Sequence, residues 1–549
     1  MKILKRYLPV SPSYLLFSVW GGFLLYIWPR MFFETREGIF AGERSIWADW
    51  ACHLAGSSAF AFLPQSMWFE NHPQFYGQTY NYPFLSSMIS GILMRLGIDR
   101  ISAFIIPSII ISLLLLVILY CFYEAIFKSK RQAWLAVSLF FLCGGLGFFY
   151  YIQDMVRSFS WDTLLFPVRE YTFLEDKRIF FRNIFPSELL PQRSFLLGLP
   201  VGLSILAALT RWLCKEPGEK TFLRYGVAGI PAGLLIIIHT HSYIAMVILC
   251  FCLAAFNLKR YKEMVVFALS AGLMSLWLYT TFHGQFAPSK WFGLEWGWMS
   301  NNQGDGILSF VKFWLMNWGL MLPLAVWGTI QMRHYQNPLV IGGWVLFILC
   351  NIFRFQPWNW DNSKLLTWSY LLLVIPVVGV LSFLWRGNRI IVRGVAIVLI
   401  GFLTFSGGLE LMRLVQSDRM THRMWEKSKI DMALNFQKIL KPEETVLTDD
   451  DHLNWVSSLS GGQILMGYRG WLWSWGIDYS EREKDIRRMY SGKPGSENLF
   501  QKYHVRYAVL SPSARDKFQA NEMLFLLKYK MIMKDGDTRV YDVKTPRNM

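Results

Sequence analysis

The chain has 549 residues, is 53% hydrophobic and 17% aromatic, and carries a formal net charge of +17. That apolar content excludes an ordinary soluble domain and fits a polytopic membrane protein embedded in a lipid bilayer. The charge does not point to a nucleic-acid partner, because Lys and Arg gather in short gaps between apolar runs, as they do in the loops of membrane proteins.

A span needs roughly 17–25 apolar residues, fewer where the bilayer is thin. About eleven are predicted, at 12–31, 101–126, 132–151, 194–213, 224–238, 242–257, 263–282, 308–329, 338–353, 366–385 and 390–407. The first follows a basic start without a small-residue cleavage site, so it reads as an uncleaved span. Pro231 bends the fifth, and His239-Thr-His241 separates it from the sixth. The seven Cys lie mostly in apolar runs, show no zinc spacing and read as packing residues.

Orientation follows from alternate gaps that are short and basic, such as Lys128–Arg131, Lys259–Lys262 and Arg386–Arg389. These belong in the cytoplasm together with the N-terminus and its Lys2, Lys5 and Arg6. The gaps 32–100, 152–193, 239–241, 283–307 and 354–365, and everything after 408, then lie outside. The external gap 152–193 carries Arg157, Arg169, Arg178, Arg182 and Arg193. Either the topology is wrong there or these cations have an anionic partner outside, and the regular alternation elsewhere favours the partner. No Asn-X-Ser/Thr acceptor occurs, which favours the inner (cytoplasmic) membrane of a bacterial envelope over the endoplasmic reticulum.

Segment 32–100 contains two helical patterns. Residues 50–63 form an amphipathic run suited to the membrane interface. Residues 82–97 begin with a Pro in the first turn and end at Gly97; as a span they would put the later basic gaps outside, so they read as a second interfacial helix. After 408 charged residues become frequent. Helices at 430–440, 481–490 and 515–528, strands at 445–448, 463–467 and 506–510, and a hairpin around Asp535-Gly536 predict a small α/β domain. The predicted division is thus a transmembrane domain, 1–407, and an extracytoplasmic α/β domain, 408–549.

Two polar constellations stand out. In Trp47-Ala-Asp-Trp-Ala-Cys-His53, Asp49 and His53 are four apart and share a helical face. Asp49 reads either as a helix cap or as a general base at the mouth of a membrane cavity. Between two apolar runs lies 353–364, holding Arg354, Asp361, Asn362 and Lys364 beside Trp358 and Trp360. These residues read either as a capped, snorkelling span end in an aromatic belt or as cations gripping a phosphate while rings stack on a sugar or lipid. Arg193 either anchors its helix or joins a phosphate clamp, which its planar guanidinium suits. His239 and His241, two apart, leave a divalent metal conceivable but unsupported, so neither a metal nor another cofactor is assigned. The aromatic stretch Gly461–Gly476 suits either stacking on sugar rings or packing onto the membrane helices. No P-loop, dinucleotide fingerprint or Ser-His-Asp elbow occurs.

Taken together, 1–407 resembles the GT-C superfamily of membrane glycosyltransferases. The resemblance is carried by the first external loop with its acidic Asp49, the two interfacial helices after it, and the Asn81-Tyr-Pro-Phe start of the second. The external C-terminal domain, with Gly467-Tyr-Arg-Gly-Trp471, is similar to those of bacterial members. Ala48-Asp49-Trp50 departs from the paired acids of the family, which leaves Glu43 as a reserve base. The resemblance implies a polyprenyl-phosphate sugar donor, an external site and inversion at the anomeric carbon. Asp49 would deprotonate the hydroxyl of a glycan, lipid or protein acceptor. Arg193, Arg354 and Lys364 would stabilise the departing phosphate, with His53, Asp361 and Asn362 as further substrate-binding residues. A glycan polymerase or ligase using lipid-diphosphate donors, and a transporter or flippase for a lipid-linked solute, are the alternatives. The first gains from the Arg-rich gap; the second lacks the internal repeat such proteins usually carry.

Overall fold

A computed structural model describes residues 12–80, 82–282, 292–303 and 306–546. Asn81, the basic start at Lys2, Lys5 and Arg6, and residues 283–291 and 304–305 of the gap 283–307 lie outside the described residues. In chain order come α1 (Pro12–Met31), β1 (Phe32–Thr35), β2 (Gly38–Ala41), α2 (Arg44–Phe62), α3 (Leu85–Arg95) and α4 (Arg100–Phe127). The chain continues through α5 (Lys130–Phe141), α6 (Phe148–Arg157), α7 (Trp161–Leu165), α8 (Arg193–Leu213), α9 (Thr221–Ile238), α10 (Thr240–Ala255) and α11 (Tyr261–Phe282). Next are β3 (Gly293–Leu294), α12 (Gly306–Trp318), α13 (Met321–Gln331), α14 (Pro338–Cys350), β4 (Phe353–Arg354), α15 (Asn362–Arg386) and α16 (Ile390–Val415). The last stretch holds β5 (His422–Glu426), α17 (Lys427–Gln437), β6 (Thr445–Leu447), α18 (Trp455–Ser458), β7 (Gln463–Ile464), α19 (Arg469–Ser474), α20 (Ser480–Ser491), α21 (Ser496–Lys502), β8 (Val505–Leu510), β9 (Tyr529–Asp535) and β10 (Thr538–Pro546).

The chain forms two compact units. The first comprises residues up to Arg30, Ser108–Trp277 and Phe292–Met420. The second comprises Met31–Pro107, the described part of Leu278–Trp291, and Thr421 onward. The segment Met31–Pro107 therefore packs with the C-terminal residues, whereas the sequence grouped 32–100 with the membrane helices and put the boundary at 407/408.

Among the described residues, six helices are long and apolar enough to cross a bilayer: 100–127, 193–213, 221–238, 258–282, 359–386 and 390–415. They make this a multi-pass membrane protein. The pair α12 and α13 adds a seventh span if counted as one, although it is bent by 98°. The predicted count of eleven is not reproduced, and two of its segments are corrected. Segment 132–151 is not one helix: α5 has 12 residues, about 18 Å at 1.5 Å per residue, too short for a hydrocarbon core of about 30 Å. It stops at Gly144-Gly145-Leu146-Gly147 because other backbone runs against that stretch. A Cβ on Gly145 would stand 1.9 Å from the Met316 carbonyl oxygen, and one on Gly147 1.7 Å from that of Tyr171. Segment 308–329 breaks at Gly319, whose φ of +59° ends α12.

Buried asparagines satisfy the backbone where these helices break, as an apolar medium demands. Asn317 accepts from the Phe180 and Phe181 amides at 2.6 and 2.8 Å and donates to the Arg178 carbonyl at 2.9 Å. Asn183 donates to the carbonyls of Phe141 and Cys143, both at 2.9 Å. The Arg-rich gap contains its own counter-ions: Arg169 meets Asp154 and Arg182 meets Glu170, each at 2.7 Å.

In the second unit, β1, β2 and β5 form an antiparallel sheet, and a five-stranded mixed sheet has the order β7-β6-β8-β10-β9. The predicted hairpin is β9–β10, turning at Gly536 with φ +53°. The predicted helix 515–528 is two short helices, Pro512–Phe518 and Glu522–Lys528, parted at Gln519 with φ +55°.

Candidate functional site

In the first unit, three helices begin at one place. Gly198, in the second turn of α8, has no side chain because the His239 Cβ would stand 2.8 Å from its own. Gly202, one turn on, lies against the Trp368 ring of α15. The Trp368 indole donates to the Ser242 hydroxyl of α10 at 3.2 Å. These contacts pack α10 against both α8 and α15 near their starting turns. Each start exposes amides without intrahelical acceptors and the positive end of a helix dipole.

The side chains gathered there are polar and buried. His239 is the N-cap of α10, its Nδ1 accepting from the Ser242 amide at 3.1 Å. The His239 and His241 rings are 5.5 Å apart, and both feel the charge of Lys364. Lys364 pairs with Asp361 at 2.9 Å, and the two side chains are 11% and 8% exposed. Ser363 donates to Glu188 at 2.8 Å; Glu188 lies in the widened turn Phe185–Leu189 that leads into α8. Arg193 is the first residue of α8 and is buried. Two cations thus stand at converging helix starts, whose exposed amides and dipoles favour an anion, with Lys364 already paired to Asp361.

The structure thus brings Arg193, Asp361, Asn362 and Lys364 to the starts of α8 and α15, with different occupations. Asn362 spends its amide on the preceding loop, accepting from the Phe355 amide at 3.2 Å and donating to the Cys350 and Phe353 carbonyls at 3.0 and 2.7 Å. It positions the loop that carries Arg354. Arg354 sits on β4 opposite Gly293 and pairs with Glu295 at 3.8 Å. Neither Glu188 nor His239 was singled out for this anion seat from sequence. The interruption at His239-Thr-His241 was the available signal, and it marks a helix start. Among the described residues no three His, Cys, Asp or Glu side chains gather as a metal site requires.

Asp49 and His53 belong to the second unit, on α2. Glu43, not Asp49, caps this helix, accepting from the Ser45 amide at 2.6 Å. Asp49 sits in the second turn, half-buried, with the buried His53 one turn on along the same face. The helix is more enclosed than an interfacial one. Ser458 donates to the Ala51 carbonyl at 2.9 Å and Ser58 to the Ser458 carbonyl at 2.7 Å, tying α2 to α18. Asp49 raises the pKa of the Cys52 thiol, although burial is the larger cause.

Nearby, His72 is buried with its Nδ1 accepting from the Gln74 amide at 3.1 Å. Burial pushes its pKa down to about 3 from 6.5. Because the folded value is the lower, the neutral ring contributes stability that is complete above pH 6.5 and is lost as pH falls toward 3. At pH 5 the loss is about 2 kcal/mol. Thermal melts are expected to show a falling midpoint from pH 6.5 to 5, with a flatter dependence in His72→Gln; parallel curves for the two proteins would contradict this.

No protein-family model matches the chain, and no curated protein matches it. Solved structures do. The oligosaccharyltransferase of Archaeoglobus fulgidus, tethered with an acceptor peptide, is 12% identical, with a TM-score of 0.51 over 98% of this chain and 75% of its own. ArnT from Cupriavidus metallidurans, bound to undecaprenyl phosphate, is 10% identical, with a TM-score of 0.52 over 96% of this chain and 97% of its own. The mycobacterial arabinofuranosyltransferase AftD is 12% identical, with a TM-score of 0.53 over 97% of this chain and 40% of its own. At these identities the likeness establishes a shared fold.

Proposed function

We propose, from the GT-C glycosyltransferase fold that this chain shares with those three proteins, that it is a membrane glycosyltransferase using a polyprenyl-phosphate sugar. The observation that carries the reading is the convergence of three helix starts around two buried cations, Arg193 and Lys364, in a multi-pass protein. A lipid-borne phosphate reaches a protein at headgroup depth, where such a seat would meet its charge. ArnT, the match of similar length, binds undecaprenyl phosphate.

In the reaction, an acceptor hydroxyl gives its proton to the Asp49 carboxylate as its oxygen bonds to the anomeric carbon. The bond from that carbon to the phosphate oxygen breaks, and its electron pair leaves with the polyprenyl phosphate. Attack opposite the leaving group inverts the centre. Arg193 and Lys364 act where the negative charge grows. His53, one turn from Asp49, orients it, and Arg354 extends the cationic side beside Glu295. The reaction takes place on the external face of the inner membrane, a placement that the short basic gaps support.

A lipid-diphosphate donor is the weaker reading. The arginines that would meet a second phosphate include Arg169 and Arg182, which are held by Asp154 and Glu170. The test is reconstitution in liposomes with a synthetic polyprenyl-phosphate carrying a labelled sugar, plus cell-envelope acceptors. Transfer of single sugars with release of the lipid monophosphate is expected. Block transfer from a diphosphate donor, or counterflow of the labelled lipid without acceptor, would replace this reading with a ligase or a flippase.

A further inference from the structure

The second unit holds a train of aromatic rings that starts and ends on the helix carrying Asp49. Trp47 is two residues before Asp49 on α2, and its ring lies 4.2 Å from that of His452. His452 in turn touches Tyr468 at 5.8 Å and Trp471 at 6.4 Å. Trp471 stacks on Trp475, 6.4 Å away with planes 17° apart. Trp475 meets Tyr82 at 5.0 Å and His72 at 4.9 Å. His72 packs edge-on against Tyr80 at 5.1 Å, and the Tyr80 ring lies 5.8 Å from that of Phe60 on α2. Four separate stretches of chain therefore contribute rings, and the train closes on the helix that bears the carboxylate.

The train is buried at Phe60, His72 and Tyr80 and partly open at its other rings. Tyr468 is 39% exposed, and Trp47, Trp471 and Trp475 are half-buried, so faces remain open. Their carrier α19 is fixed beneath. Arg469 bonds Asp450 at 2.6 Å and Glu483 at 3.2 Å, and Asp450 is itself held by Lys517 at 3.2 Å. Gly467 lets the chain run against Gln74, donating its amide to the Gln74 carbonyl at 2.7 Å; a Cβ there would meet the Gln74 side chain. Rigid, partly open aromatic faces bury large area at small entropic cost and leave their polar edges for hydroxyls.

We propose that this train is the platform for a carbohydrate acceptor, whose sugar rings lay their C–H faces on Tyr468, Trp471 and Trp475. The ligand class is an oligosaccharide, free or at the end of a glycolipid. A peptide or lipid acceptor would use amide pairing or an apolar groove rather than a row of ring faces with polar edges.

The proposal deepens the glycosyltransferase reading, yet it is tested without any sugar donor. The full chain in nanodiscs is mixed with soluble hexose and pentose oligosaccharides, and with a sugar-free pentapeptide as control. Saturation-transfer NMR then reads which sugar protons touch the protein. The expected result is transfer to ring C–H protons of at least one oligosaccharide and none to the peptide. Affinity should fall at least tenfold in Tyr468→Ala and in Trp471→Ala and be largely kept in Trp471→Phe. Tyr468 is exposed, so its replacement keeps the test valid if the Trp471→Ala protein does not fold. No transfer to any oligosaccharide, unchanged affinity in the alanine variants, or equal binding of the peptide would overturn the proposal. Sugar binding in a protein that transfers nothing would leave the platform standing while removing the catalytic reading.

Discussion

Asp49→Asn is expected to reduce sugar transfer by about 10²–10⁴-fold, the usual range for a lost general base. The substitution keeps the shape and size of the side chain on α2 and removes only its capacity to take a proton. The helix does not depend on Asp49 for its start, because Glu43 caps it. Stability should therefore change little. Donor binding, measured with a non-transferable polyprenyl-phosphate analogue, should also be kept, which places the loss in kcat. Glu43→Gln, by contrast, acts through a cap worth about 1 kcal/mol and should reduce activity only as far as it loosens α2. Full turnover in Asp49→Asn would remove this carboxylate from the mechanism, and loss in Glu43→Gln alone would pass the role to Glu43.

Lys364→Met is expected to have two effects that a second substitution separates. Lys364 and Asp361 are buried partners 2.9 Å apart, so removing the cation leaves a buried carboxylate uncompensated at a cost of about 3–5 kcal/mol. The anion seat also loses one of its charges, which should weaken binding of undecaprenyl phosphate at least tenfold. Asp361→Asn combined with Lys364→Met removes the stranded charge. The double variant should melt close to the original protein and still fail to hold the lipid phosphate. A double variant that binds the lipid normally would show that Lys364 serves only its partner. Arg193→Gln tests the other cation at the same seat by the same binding measurement.

The helical segments were legible from hydropathy because long apolar runs leave the backbone few alternatives. Where the reading failed, a tertiary contact intervened. The run 132–151 looks continuous in apolar content, yet its glycines mark where the backbones of Met316 and Tyr171 come close. The bend at Gly319 and the break at Gln519 each turn on one residue of positive φ, which apolar averages do not register. Of the candidate site, cations at span edges were visible as charges that a bilayer penalises. Their occupations were not: Glu295 lies 59 residues before Arg354 in sequence and meets it only across β3 and β4. Likewise, the aromatic stretch 461–476 was evident, while its assembly with Trp47, His72 and His452 needs the fold.

One contrast among the spans bears on how this chain tolerates change. Around the most apolar window of α15, 89% of residues are enclosed by protein, against 17% in the span that holds α11. Swapping one branched aliphatic for another on the outer flank of α11 exchanges one oily neighbour for another and leaves the lipid tails to adjust. The same swap on α15 changes the fit of a close-packed interior, where a single methylene is felt. Sequence drift in this molecule should therefore be slowest along α15, a helix whose greasiness serves internal jigsaw fit and not contact with the bilayer.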